Sequence, residues 1–152
     1  MITFQEIERK FLLTGSVPVP AKFDKLNIKQ AYLTAEKGKQ IRVRIVNNKI
    51  GLLCVKYTEN LIRDEFEYEI PLKDAKTMFE KSPLKVEKKR ISFTNKGHYD
   101  IDAYPNGLVV VEVEFKSEAQ MNKWVKPNWL GEEITGNPKY SNITLAKKGL
   151  KF

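Results

Sequence analysis

Long apolar runs are missing from this chain: no stretch approaches the roughly 20 residues that a membrane span requires. The first residues carry acids where a secretory signal would place a basic patch and an apolar segment. Cysteine is nearly absent. Cys54 is the only one, so no intrachain disulfide can form, and its place between Leu53 and Val55 predicts a buried thiol. The composition reads as a cytoplasmic, unexported protein. No internal repeat, low-complexity tract or linker interrupts the 152 residues, a length that suits one domain over 1–152.

Charge is plentiful. The chain holds 27 Lys plus Arg against 19 Asp plus Glu, a net +8, so a surface or cleft should attract anions. Nucleic acid, an acidic membrane and phosphorylated small molecules are the classes that fit, and the lack of any apolar anchor sets the membrane aside.

Most of the sequence alternates with period two, the mark of short strands. The windows are 2–13, 41–47, 50–57, 62–70, 85–94, 98–104 and 108–115. Asn47 with Asn48, then Asn95, Lys96 and Gly97, then Pro105, Asn106 and Gly107 supply tight turns, which predicts a meander of antiparallel neighbours. Helices are inserts in this α+β pattern. Leu72, Ala75, Met78 and Phe79 fall at helical spacing between Pro71 and Pro83, and Ser117 with Gln120 three residues later forms a capping box. Further helices are expected over 20–29 and 141–148.

Residues two apart on a strand share a face, so each window splits into two columns. Glu6, Glu8 and Lys10 share one column of the first, opposite Ile7, Arg9 and Phe11. Arg42 pairs with Arg44, Lys88 with Arg90, Asp100 with Asp102, Glu112 with Glu114, and Arg63, Glu65 and Glu67 align in the fourth window. A half-solvated antiparallel sheet gives the same alternation for any one strand. Its weakness here is cumulative: nearly every strand has a charged column, and acids and bases mix within them. A sheet this long can close into a barrel with the charges inside and the helices outside. Buried ions lose hydration worth several kcal/mol each, so they need partners. Carboxylates for Mg²⁺ or Mn²⁺ and a ring of Arg and Lys for phosphates make such a set.

The ordered series resembles the CYTH superfamily, the triphosphate tunnel metalloenzymes, over almost the whole chain. "EIERKF" resembles its opening ExExK signature, "QAYL" its QGYL-like segment, "IRVRI" its paired arginines, "CVKY" its strand lysine and "IRDEFEYEI" its R-x-E-x-E strand. "EKKRI", "YDIDAY", "VEVEF" and "KYSNITLA" are similar to the segments that follow. The resemblance implies an eight-stranded antiparallel β-barrel forming a tunnel, with helices packed outside, a divalent metal and a triphosphate-bearing substrate. It implies Glu6, Glu8 and Glu114 as metal ligands, with Glu112 close enough to assist through water. It implies Lys10, Arg42, Arg44, Lys56, Arg63, Lys88 and Arg90 as phosphate ligands, Tyr32 as a further donor, and Glu65, Glu67 and Lys10 as catalytic residues. Glu65 and Glu67 either bind a second metal or orient the attacking water.

Other residues read more plainly. Ala31 stands where the family often has glycine, which predicts an altered loop. Asp100 and Asp102 are expected to pair with arginines, His98 and Arg9 to face solvent, and Trp124 and Trp129 to pack under a helix. The expected activity is metal-dependent hydrolysis of inorganic triphosphate or a small organic one, such as a nucleoside or thiamine triphosphate. A class IV adenylate cyclase is the alternative, since the superfamily contains one, though no segment reads as an adenine pocket. A non-enzymatic binder of RNA or other polyanions fits the +8 charge but has no use for paired glutamates.

Overall fold

Nine antiparallel strands and a few short helices make up the computed structural model, which describes the backbone of residues 2–59 and 62–152 and the side chains of 7–59 and 63–152. The strands are β1 (Ile2–Leu13), β2 (Asp24–Glu36), β3 (Lys39–Val46), β4 (Ile50–Glu59), β5 (Ile62–Ile70), β6 (Leu84–Thr94), β7 (His98–Ala103), β8 (Val109–Phe115) and β9 (Leu130–Glu133). The helices are α1 (Leu72–Lys81), α2 (Glu118–Lys123) and α3 (Asn142–Lys147), with a 3₁₀ turn at Pro138–Tyr140. The order across the sheet is β5-β4-β3-β2-β6-β7-β8-β1-β9, with an additional β1–β5 pairing.

β1 carries this arrangement. One of its edges pairs with β8 from Ile7 to Leu12, while β5 takes Ile2 to Ile7 and β9 takes Phe11 and Leu13. The result is a curled sheet of nine strands, where eight in a barrel were expected. β9 is the addition, and at four residues it is too short for an alternating pattern to register.

The turns follow local chemistry. Asn47 and Asn48 both adopt positive φ, 53° and 55°, which asparagine tolerates better than most residues and which matches the twist between β3 and β4. Gly51 serves close packing: a Cβ there would lie 2.7 Å from Ala75 Cβ, so only glycine lets α1 sit directly on β4. α1 ends at Lys81, ahead of Pro83 as expected, and Ser117 Oγ accepts from Gln120 N at 3.0 Å at the start of α2. The reciprocal bond differs from the expected box, since Gln120 Oε1 accepts from Lys116 N at 2.6 Å.

The segment expected as a helix over 20–29 is largely strand. β2 begins at Asp24 and pairs with both β3 and β6. Its period is hard to see because Ala31 packs against Val43 and Ala75 on one side while Gln30 and Tyr32 are polar and buried on the other. Ala31 therefore sits inside a strand, and no altered loop forms there.

Two apolar clusters lie on the outer side: Val43 and Ile45 meet Ala75 and Phe79 of α1, and Phe11, Val111, Val113 and Phe115 meet Trp124 and Trp129. A third continues the charged columns, with Val86, Val110 and Tyr104 in line with Lys88, Glu112 and Asp102, so Leu145 and Ala146 of α3 pack at one end of the inner face. Trp124 packs against both Phe11 and Phe115, as expected of a covering residue, and donates from Nε1 to Tyr99 at 3.0 Å. No helix among the described residues is long and apolar enough to cross a membrane.

Candidate active site

With the apolar columns turned toward the helices, the charged columns converge. One cavity of about 190 Å³ is lined by Lys10, Arg42, Arg44, Lys56, Arg63, Lys88 and Arg90, together with Glu65, Glu67, Asp100, Glu112 and Glu114. Tyr32 also lines it. Bases dominate β3, β4 and β6, acids dominate β7 and β8, and β1 and β5 carry both.

Glu8 is buried beside this cavity, its Oε1 2.6 Å from Arg63 Nη1, and its Cα stands directly opposite that of Glu114. Glu6 lies on the same strand, but its side chain is outside the described residues. The structure thus brings together every other residue that the resemblance implied as a metal, phosphate or catalytic ligand.

The β6–β7 wall is tightly paired. Arg90 grips Asp102 with two bonds of 2.7 and 2.8 Å, and Lys88 Nζ lies 2.9 Å from the same carboxylate. Lys88 and Asp102 are fully buried. Burial pushes Lys88 down to about 7 even though Asp102 opposes the shift. Asp102 stays below the usual carboxylate range because Arg90 and Lys88 outweigh its own burial. Asp100 takes Arg90 Nη1 at 3.2 Å, so both aspartates pair with the arginine as the sequence suggested.

Arg44 is different. Its Nε and Nη2 both donate to Gln30 Oε1, at 3.2 and 3.1 Å, and no carboxylate pairs with it among the described residues. Gln30 in turn donates to the Tyr32 hydroxyl at 3.2 Å. Burial, then the nearby charges of Arg42 and Arg90, lower the Arg44 guanidinium to about 10. A cation held by a neutral amide among other cations is a place for an anion.

Glu65 lies 3.8 Å from Arg42 and 3.6 Å from Lys56, and accepts from Cys54 Sγ at 3.0 Å. Cys54 is buried as expected but on the charged side, where burial raises its thiol to about 12 and keeps it protonated. On β8, Glu112 lies 3.6 Å from Lys10 Nζ. Its burial would raise it, yet Lys10, Arg90 and Lys88 together hold it well below its ordinary range, so it is an anion in the cavity.

Two residues and one helix depart from expectation. His98 is half-buried, with Nε2 3.1 Å from Asp100 Oδ1, a bond that raises its pKa. Arg9 is on the outer side but pinned, donating to Glu133 at 2.9 and 2.7 Å and lying 5.4 Å over Phe11 and Trp124. α3 starts inside: Ser141, Asn142 and Ile143 line the cavity, although helices were expected only outside. Nothing in the sequence marks that role, because Ser-Asn before an apolar turn also reads as an ordinary cap.

No family model matches the chain. It is 37% identical over 155 residues to an inorganic triphosphatase of Acetivibrio thermocellus, covering 97% of this chain and 96% of that one. It is 30% identical over 148 residues to an inorganic triphosphatase of Nitrosomonas europaea, covering 93% and 96%. Among solved structures, the inorganic triphosphatase NE1496 superposes with a TM-score of 0.66 at 28% identity, covering 93% of this chain and 94% of that one.

Proposed function

We propose, for a chain that belongs to the inorganic triphosphatases of the CYTH superfamily, that it hydrolyses the terminal phosphoanhydride of inorganic triphosphate inside the curled sheet. The observation that carries this reading is Arg44, a cation without a carboxylate partner among the described residues, set in a cavity with six other bases. The 1–152 chain works as one domain in this reading, since β9 near its end pairs with β1 at its start. The curled sheet, with β1 pairing also with β5, turns its charged columns toward one shared interior.

The donor set fits a hard divalent cation. Glu8 and Glu114 face each other across β1 and β8, Glu112 follows on the same strand, and all offer carboxylate oxygens, the ligands that suit Mg²⁺ or Mn²⁺. Glu6 joins them in this proposal on its sequence position alone. Such a cation, when bound, neutralises phosphate oxygens and favours charge build-up on the group that leaves.

The chain's own residues do the rest. Arg44, Arg42, Lys56, Arg63, Lys88 and Arg90 hold the phosphates and spread their charge, and Tyr32 donates from the β2 wall. Lys10, beside Glu112, stabilises charge on the bridging oxygen as its bond to the terminal phosphorus breaks. Glu65 or Glu67 orients the water and accepts its proton, so that orthophosphate and diphosphate form. A cavity of about 190 Å³ lies below the range of roughly 300–1,000 Å³ that encloses larger ligands, which favours the inorganic substrate over ATP.

Phosphate release from inorganic triphosphate, measured with Mg²⁺, with Mn²⁺ and with chelator, tests the reading. Turnover that requires the metal is expected. No turnover in any of them, or cyclic AMP formed from ATP faster than phosphate is released, would overturn it.

A further inference from the structure

The cations of the cavity are absorbed by the proposed function, but one polar side chain on its wall is not. Asn142 opens α3 and lines the cavity between Ser141 and Ile143. A carboxamide has one end that only accepts and one that only donates. The accepting end is committed here: Asn142 Oδ1 takes a hydrogen bond from the Tyr104 hydroxyl at 2.6 Å and another from Lys88 Nζ at 3.3 Å. In its ammonium form, 2.9 Å from Asp102, Lys88 can only donate, and turning the amide over would then set N–H against N–H. Burial raises the Tyr104 pKa far above its ordinary value, which keeps that hydroxyl protonated and able to give its bond to Oδ1.

The donating end is therefore aimed by elimination. Asn142 Nδ2 has no protein acceptor among the described residues, and the side chain is only partly buried where it meets the cavity. Its two hydrogens need acceptors, and phosphate oxygens are acceptors without competing donors. We infer that Asn142 is a substrate-binding residue whose Nδ2 hydrogens donate to a phosphate oxygen at the α3 end of the bound triphosphate. The inference rests on the proposed function, which supplies the ligand. It adds a directional contact to a set of ligands that are otherwise charged, and it gives α3 a part in reading the substrate.

A purely structural role predicts a different result, because Asn142 also braces Lys88. Asn142→Asp separates the two: aspartate still accepts from Tyr104 and Lys88, yet it has no hydrogen to give and turns a negative charge toward phosphate. Asn142→Ala removes the donors without adding charge. Calorimetric titration of the full chain with inorganic triphosphate, with melting curves as a control on folding, is the experiment. Both variants should bind at least about tenfold more weakly than wild type, as expected for losing a hydrogen bond to a charged group, with aspartate the weaker. Either variant binding as tightly as wild type overturns the role of Asn142 and leaves the proposed function standing. A wild-type chain that neither binds nor hydrolyses inorganic triphosphate overturns the proposed function and this inference together.

Discussion

Two arginines in one cavity are held in opposite ways. Arg90, on the β6–β7 wall, is clamped by Asp102 with two bonds under 3 Å and shares that acid with Lys88. Arg44, on the β2–β3 wall, leans on the neutral amide of Gln30. The first wall answers much of its charge internally, so Lys88 and Arg90 help to hold the fold together as well as facing the phosphates. The second keeps an unmet demand for an anion, and that demand is what a ligand can satisfy. A buried ion pair and a buried binding cation look alike in a list of charged residues. Their partners separate them.

Removing the clamp should have the largest effect. Asp102→Ala leaves Lys88 and Arg90 buried without their shared carboxylate, and breaking a buried pair in this way costs about 3–5 kcal/mol. Denaturant unfolding should show that loss, equivalent to a fall of roughly 10 °C in melting temperature for a chain of this size. A variant as stable as wild type would erase the distinction between the two walls.

The second wall should respond in the other currency. Arg44→Met removes a cation that no carboxylate contacts among the described residues and whose burial and cationic neighbours outweigh the distant Asp102 and Glu67, so the melting temperature should hold or rise. kcat/KM for inorganic triphosphate should meanwhile fall by about 10- to 100-fold, the worth of a hydrogen bond to a charged group. Unfolding curves and phosphate-release rates on the same preparation give both readings. A stability loss without a rate loss would show that Arg44 belongs with Arg90.

How much of this was legible beforehand depends on the strand. β1, β3, β5, β6, β7 and β8 announce themselves because an apolar column alternates with a charged one, whichever of the two faces inward. The inversion itself, charges in and apolar residues out, follows only from the repetition of mixed columns across strands. β2 escaped because its inward residues, Gln30 and Tyr32, have no charge to contrast with Ala31 behind them. Arg90 and Arg44 also look the same in sequence; each sits two residues from another base. What divides them is the neighbour across the strand pair, Asp102 in one case and Gln30 in the other. Register sets Cys54 behind the cavity residue Glu65 and a late helix brings Asn142 to the cavity wall, and neither residue type announces such a place.

The smallest effect lies at the rim of the clamped wall. His98 is the only histidine, so its titration by NMR is a single curve. The hydrogen bond to Asp100 should place its pKa above the ordinary value of about 6.5, against the lowering effect of its burial. The bond therefore stabilises the fold fully below that ordinary value, and the contribution is lost as pH rises through the folded-state pKa. Asp100→Asn should bring the His98 pKa back to about 6.5 or lower. An unchanged titration would mean that Asp100 is wholly engaged by Arg90 and Ser92.

The central claim is that the charged interior, and no outer surface, takes the polyphosphate. A crystal structure with a non-hydrolysable triphosphate analogue and Mg²⁺ tests it most directly. The account predicts phosphate oxygens within hydrogen-bond distance of Arg44. An analogue bound instead among the outer lysines near Lys147 and Lys151, with the cavity holding only water, would contradict it.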